Sequence, residues 1–385
     1  MAVEQINAEG GLLGRNLTIV AEDDNQETTP DITELTNALT RLIIVDKADY
    51  VIAGAASGGN ANNALVYQDI CCSQKKILFT LGTPLVDLTQ RVLDNYDKYK
   101  YYFRAGVSPN ETALDMAYVQ SLAALKSATG FSKIGYLLQD TTAKREGTAP
   151  YFDSELPKLG FEIVYHNLFA PATIDFTSYF AQAEAAKAQI LFAFLPNAPK
   201  SATLVNEWYE RQSPMVLCGD ISGVSDPTFW NTTSGKTEFV LSKVSAVSLS
   251  YPITDKTLPA KEAFLDRWGV VMKGGGASAY DVVRFILFDA IKRAGTTETE
   301  AVIKALEKTE IDTSLARNFE FTSSHDILVD AAGMTSPSQS GILYIAAQWQ
   351  NGVQVPVFPE MLRIQAGTTY KFPPWQGPWS NKLTP

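Results

Sequence analysis

At 385 residues the chain is too long for one ordinary hydrophobic core, so two domains are expected. Hydrophobic residues make up 45% and charged residues 19%, the balance of an ordinary globular protein. A net charge of −10 argues against a nucleic-acid partner, because phosphate backbones are held by clustered Lys and Arg. No window approaches the roughly 20 apolar residues that span a bilayer, and no basic segment followed by an apolar one opens the chain.

The first stretch is MAVEQINAEGGLLGRNLTIVAEDDNQ, residues 1–26. Ala2, Val3 and Ile6 fall on one side of a helical turn, and Gly10 and Gly11 can supply the left-handed residue that ends a helix. A strand is predicted directly afterwards, at Leu17 to Glu22. The chain therefore enters its fold on a helix, which raises the question of what that helix packs against.

Further along, short apolar runs alternate with helical patterns. LTIVAED (17–23), YVIAGAA (50–56), KILFTLG (76–82), KIGYLLQ (133–139), FEIVYHN (161–167), QILFAFL (189–195) and PMVLCGD (214–220) read as strands. Most are apolar on consecutive positions, the pattern of strands covered on both faces. Amphipathic segments such as DITELTNALTRLIIVDK and FTSYFAQAEAAKA lie between them. That alternation is βαβ wiring and predicts parallel sheets. The pattern changes near residue 103 and again at SKVSAVSLSYP (242–252), which is extended and lacks a helical period. Two long helical patterns follow, SAYDVVRFILFDAIKRAG and TETEAVIKALEKT, the second opened by Thr297 with Glu300 three residues on. NFEFTSS is extended, GILYIAAQWQNG reads as a strand, and the tail KFPPWQGPWSNKLTP is too rich in proline for regular structure.

Cys71, Cys72 and Cys218 read as plain buried thiols, with no disulfide deducible from spacing. His166 and His325 are too few and too far apart to indicate a metal site. The acids of EDD (22–24) either hold a divalent ion or cap and face water at a strand end, and the KGGGAS run (273–278) reads as a helix start. No nucleophile elbow, phosphate loop or zinc-protease motif is present, so no catalytic residue, metal or cofactor is assigned.

The segments AVEQINAEGGLLGRNLTIVAEDDNQ, YVIAGAASGGNANNAL, KILFTLGTP, YYFRAGVSPNE and ASAYDVVRFILFDAIKRAG, taken in series, resemble the type I periplasmic binding proteins of ABC transporters. The branch they resemble is that of the leucine/isoleucine/valine-binding proteins and their amide-, urea- and aromatic-acid-binding relatives. The resemblance runs over nearly the whole chain. It implies an α/β protein of two Rossmann-like lobes, each with a parallel sheet, joined by three crossing segments and closing on a ligand. The extended stretches near 103–108, 243–252 and 318–323 match those crossings. Lobe 1 would combine 1–105 with 250–320, and lobe 2 would combine 106–249 with 323–385, the tail from about 360 lying on either lobe. Family members begin with a strand and a glycine-containing loop ahead of the first helix, and neither is found here. The expectation is a shortened N-terminus, with a lobe 1 sheet that shows a gap or is completed by another segment.

In open α/β sheets ligands bind beyond the carboxyl ends of the strands. After YVIAGA comes Ala56-Ser57-Gly58, and after KILFT comes Leu81-Gly82-Thr83. In the family these two positions cradle the ligand's α-carboxylate, so the resemblance points to Ser57 and Thr83. The other reading of both is a helix N-cap with a structural role only. Asp220 ends a strand where amino-acid-binding relatives place an acid against the ligand ammonium; alternatively it is a solvated or capping acid. Asn197 follows another strand, where it or its backbone lines the cleft. Lys144 and Arg145 stand where relatives show Tyr-Gly. They either face the cleft and pair with an anionic group of the ligand or form a solvated charge pair. Tyr280 leans on the ligand or packs in the core.

The expectation is an exported, periplasmic or extracellular solute-binding receptor, possessing no enzymatic activity. It would act as a monomer, capture a small carboxylate-bearing ligand, first of all an amino acid, and present its closed form to the permease subunits of an ABC importer. The alternatives are a ligand-sensing regulatory domain of the same fold, for amides, urea derivatives or aromatic acids, and an α/β hydrolase.

Overall fold

A computed structural model of the chain describes residues 1–25, 31–54, 63–106, 109–329, 341–342 and 344–375. The chain divides into two units, the first formed by residues 1–110, 252–333 and 338–342 and the second by 111–251, 334–337 and 343–385.

Unit 1 is built on a parallel sheet of β1 (Tyr50–Ala53), β2 (Ile77–Thr80) and β3 (Tyr102–Arg104), in that spatial order. All four residues of β2 are buried, as expected of a strand flanked by neighbours and covered by helices. The helix Ala2–Ala8 places Ile6 in the same core as Leu35, Leu39, Val282 and Ile286. The opening helix thus packs against the helical stretch 278–294, and two side-chain contacts fix it there with a third to the helix Thr257–Trp268. Gln5 accepts from the Tyr280 hydroxyl at 2.9 Å, Glu9 pairs with Arg284 at 2.6 Å and Glu4 with Arg267 at 2.6 Å. Gly11 sits at φ +78° with the Arg15 carbonyl oxygen 2.3 Å from where a Cβ would stand, so the turn after the helix requires glycine.

The strand expected at Leu17–Glu22 does not form. Residues 16–25 carry no regular structure, and Ile19 and Val20 are 71% and 46% exposed. Among the described residues the segment pairs with neither β1 nor any other strand, and an extended segment without backbone partners is not a strand. Asn7 instead ties the segment down, its amide donating to the Leu17 carbonyl at 2.9 Å and accepting from the Leu17 N–H at 2.8 Å.

The second long helical pattern begins later than its hydroxyl suggested. Its N-cap is Glu298, not Thr297, with the carboxylate accepting from the N–H groups of Glu300 and Ala301. Residues 321–329 belong to unit 1. The His325 carbonyl accepts from the Arg104 N–H at 2.9 Å, and its ring stacks on Phe103 at 4.1 Å between centroids.

Unit 2 holds a four-stranded parallel sheet of β4 (Lys133–Gln139), β5 (Glu162–Phe169), β6 (Ile190–Leu195) and β7 (Val216–Ile221), in the order β5-β4-β6-β7. Its core contains Phe169, Phe176, Phe180, Leu191, Trp208 and Trp349. A second, antiparallel sheet joins β8 (Leu241–Val244) to the hairpin Ile345–Gln350/Val353–Phe358. The tail belongs to unit 2 as far as Trp375. Gln348, fully buried, donates to the carbonyls of Phe239 and Lys371 and accepts from the Lys371 N–H at 2.8 Å. Trp375 packs edge-on against Trp208 and Tyr209, and its indole N–H donates to the Ser213 carbonyl at 3.2 Å.

Candidate functional site

In each unit the residues singled out from sequence follow the carboxyl ends of parallel strands, where helix N-termini and free backbone groups gather. Ala56, Ser57 and Gly58 lie outside the described residues.

In unit 1, Leu81 and Thr83 follow β2, and both are buried. The Thr83 hydroxyl is buried with no hydrogen-bond partner among the described residues, an arrangement that costs free energy until a partner arrives. Its peptide carbonyl is engaged, accepting from Nη1 of Arg104. Nη2 of the same guanidinium donates to the Leu85 carbonyl at 2.7 Å. Asp326 lies 2.9 Å from Nε of Arg104, as an ion pair rather than a straight hydrogen bond. The second Asp326 oxygen accepts from the Asn110 amide at 2.8 Å. Arg104 is fully buried. A fork of planar donors suits the task of fixing two carbonyls of one loop, on either side of Pro84. Tyr280, the other unit 1 candidate, is half-buried and bonded to Gln5 of the opening helix, so its hydroxyl already has a structural partner.

In unit 2, Asp220 lies near the end of β7. Its Oδ2 accepts from the Tyr118 hydroxyl at 2.7 Å and from Nζ of Lys243 at 3.1 Å, while Oδ1 has no partner among the described residues. The side chain is 22% exposed. Burial opposes its ionisation, but Lys243, the Tyr118 hydroxyl and Lys144 outweigh it and hold the carboxyl below its ordinary value. It is therefore an anion at neutral pH with one oxygen open.

Lys144 and Arg145 are not a solvated pair. Arg145 is exposed and bonded to Asp140 at 2.7 Å. Lys144 is 2% exposed, because a π-helical turn at Lys144–Thr148 rolls it inward. Its ammonium donates to the Thr148 hydroxyl at 3.1 Å, and that hydroxyl donates to Asp115 at 2.7 Å. The ammonium also stands 4.2 Å from the Phe194 ring centre and 5.8 Å from that of Tyr118. Asn197 caps the helix Ala198–Glu210, accepting from the Lys200 N–H, and is exposed.

Lys144 and Asp220 are thus brought together around Tyr118, and Leu81 and Thr83 around Arg104. Sequence reasoning missed Arg104, Asp326, Asp115, Tyr118 and Lys243. The available signal was a charged residue inside an otherwise apolar strand, as in YYFR, or in an extended polar run, as in SKVSAV. The two histidines are engaged elsewhere, His325 with the Tyr102 carbonyl and Glu307, and His166 with Tyr136. Glu22 of the EDD run pairs with Arg41 at 2.6 Å.

Comparison with known proteins bears on the whole arrangement. The Leu/Ile/Val-binding protein BraC3 of Rhizobium johnstonii is 23% identical over 321 residues, covering 82% of this chain and 79% of its own. A solved ABC transporter substrate-binding protein from Desulfitobacterium hafniense, in complex with Leu, superposes with a TM-score of 0.68 at 17% identity, covering 92% of this chain and 93% of that one. A solute-binding protein from R. palustris in complex with benzoate gives a TM-score of 0.69 at 15% identity, covering 93% and 89%. These structural likenesses show a shared fold of two α/β lobes. The sequence pattern of the periplasmic binding proteins matches residues 1–336, and the chain belongs to that family.

Proposed function

We propose that the protein is the solute-binding receptor of an ABC importer and captures a small carboxylate-bearing ligand, an amino acid. Asp220 carries this reading: a carboxylate kept ionised at the end of a parallel strand, with one oxygen unoccupied, selects for a cation such as a ligand ammonium. In unit 1 the loop after β2, with the unpartnered Thr83 hydroxyl, takes the ligand carboxylate together with Ala56, Ser57 and Gly58. Leu81 lines the same loop. Relatives named for leucine, isoleucine and valine support the amino-acid class.

Capture proceeds by closure of the two units over the ligand, a shift between open and closed populations. The closed form is what permease subunits recognise, and the protein acts in the periplasm or outside the cell. Delivery rather than chemistry is its output.

A thermal-shift screen followed by calorimetry tests the reading, with amino acids, dicarboxylates, aromatic acids and neutral amides as ligands. Binding stabilises by RT ln(1 + [L]/Kd), so the correct class raises the melting temperature in proportion to log concentration. Asp220→Asn and Thr83→Val are each expected to weaken the best amino acid by about tenfold or more, roughly 1.4 kcal/mol. A larger shift from neutral amides than from any acid, or unchanged affinity in both variants, would refute it.

A further inference from the structure

Lys144 of unit 2 carries a buried ammonium that its surroundings satisfy only in part. An ammonium has three donors, yet among the described residues this one, 2% exposed, meets a single acceptor, the Thr148 hydroxyl. No carboxylate pairs with it directly, whereas Lys243 is paired with Asp220. Asp115 is reached only through Thr148. Burial pushes the Asp115 carboxyl above its ordinary value, with Lys144 and Thr148 opposing. The faces of Phe194 and Tyr118 cover the ammonium but accept no conventional hydrogen bond. A buried cation kept with donors to spare is costly unless something anionic completes it.

Its position says what that something is. Lys144 follows β4, Phe194 lies near the end of β6 and Asp220 near the end of β7, all at the carboxyl edge of one parallel sheet. Tyr118 links the two charges, with Lys144 5.8 Å from its ring centre and Asp220 2.7 Å from its hydroxyl. A cation and an anion therefore flank one aromatic ring. We propose that Lys144 is a specificity-determining residue that receives a second acidic group, so that the preferred ligand is an amino acid with a carboxylate side chain rather than a branched aliphatic one. This rests on the amino-acid reading above, with the ligand ammonium on Oδ1 of Asp220 and its side-chain carboxylate on Nζ of Lys144. Arg145 takes no part, being turned to Asp140.

The experiment is calorimetric titration of the full chain with L-glutamate, L-aspartate, L-leucine and glutarate, repeated on Lys144→Met and Lys144→Arg. Glutamate or aspartate is expected to bind at least about tenfold tighter than leucine, as one charge-assisted contact allows. Glutarate, which lacks the ammonium, binds more weakly than either. In Lys144→Met the ratio of acidic to leucine affinity collapses toward unity or inverts, and Lys144→Arg restores part of it. Leucine binding tighter than both dicarboxylic amino acids overturns the proposal while leaving the amino-acid reading intact. Equal losses for leucine and glutamate in Lys144→Met overturn it likewise, since a structural role moves both. If none of the amino acids binds, both readings fall together. Should Lys144→Met not fold, the wild-type ranking decides alone.

Discussion

Arg104 and Asp326 form an ion pair at 2.9 Å with neither side chain more than 3% exposed. The pair joins the end of β3 to the 322–327 turn, and the same guanidinium grips the carbonyls of Thr83 and Leu85. Removing one member strands the other charge in the core, which costs about 3–5 kcal/mol. Arg104→Met and Asp326→Leu are each expected to lower unfolding free energy by that order in urea, and the double variant is expected to recover a large part of it. Additive losses in the double-mutant cycle would show that the two do not act as a pair.

Asp281 is buried and accepts from the Ser314 N–H at 3.1 Å, the Ser314 hydroxyl at 2.6 Å and the Leu315 N–H at 3.1 Å. Burial raises its carboxyl from 3.8 to about 6 in spite of these bonds. The native state therefore holds a proton that the unfolded chain releases. The associated stability is complete below about pH 4 and is lost as pH rises through about 6. Wild type is expected to lose about 2–3 kcal/mol relative to Asp281→Asn between pH 4 and pH 7. A difference in urea midpoint that stays constant over that range would contradict this.

Gln348 fastens the tail by three hydrogen bonds to backbone groups of Phe239 and Lys371. Gln348→Leu keeps the volume but leaves those groups unpaired, at about 1–3 kcal/mol for each that water cannot reach. The expected result is a loss of at least about 2 kcal/mol and faster proteolysis of the segment after Gly367. Stability within about 0.5 kcal/mol of wild type would mean the strap is not held this way.

Ile19 is 71% exposed in the segment whose composition predicts a strand. Ile19→Ser is expected to change stability by no more than about 0.5 kcal/mol. A loss above about 1.5 kcal/mol in denaturant titration would place the side chain in a core after all.

That segment also marks the limit of what the sequence discloses. β1, β2 and β4 to β7 were legible because consecutive apolar residues need cover on both faces, and the composition of each run says so locally; β3 was read only as an extended crossing. LTIVAED has the same composition, but a strand also needs a partner ladder, which is a property of the neighbourhood. In the site, Thr83 and Asp220 were legible as residues just beyond or at strand ends. Lys144 and Arg145 were not separable, since a π-helical turn decides which one rolls inward and no periodicity signals it. Arg104 and Asp281 were missed, since each is a charge in apolar surroundings whose partners lie more than 30 residues away in sequence.

The three cysteines, buried and unpaired, have a practical meaning. Burial pushes the Cys72 thiol up to about 12 and those of Cys71 and Cys218 higher still, so the thiolate that attacks maleimides is scarcely populated at neutral pH. Cysteines introduced at exposed Thr40 in unit 1 and Ser154 in unit 2 would then be the fast-reacting thiols of the folded chain. A donor and acceptor dye placed there would report the proposed closure optically without any native thiol being replaced.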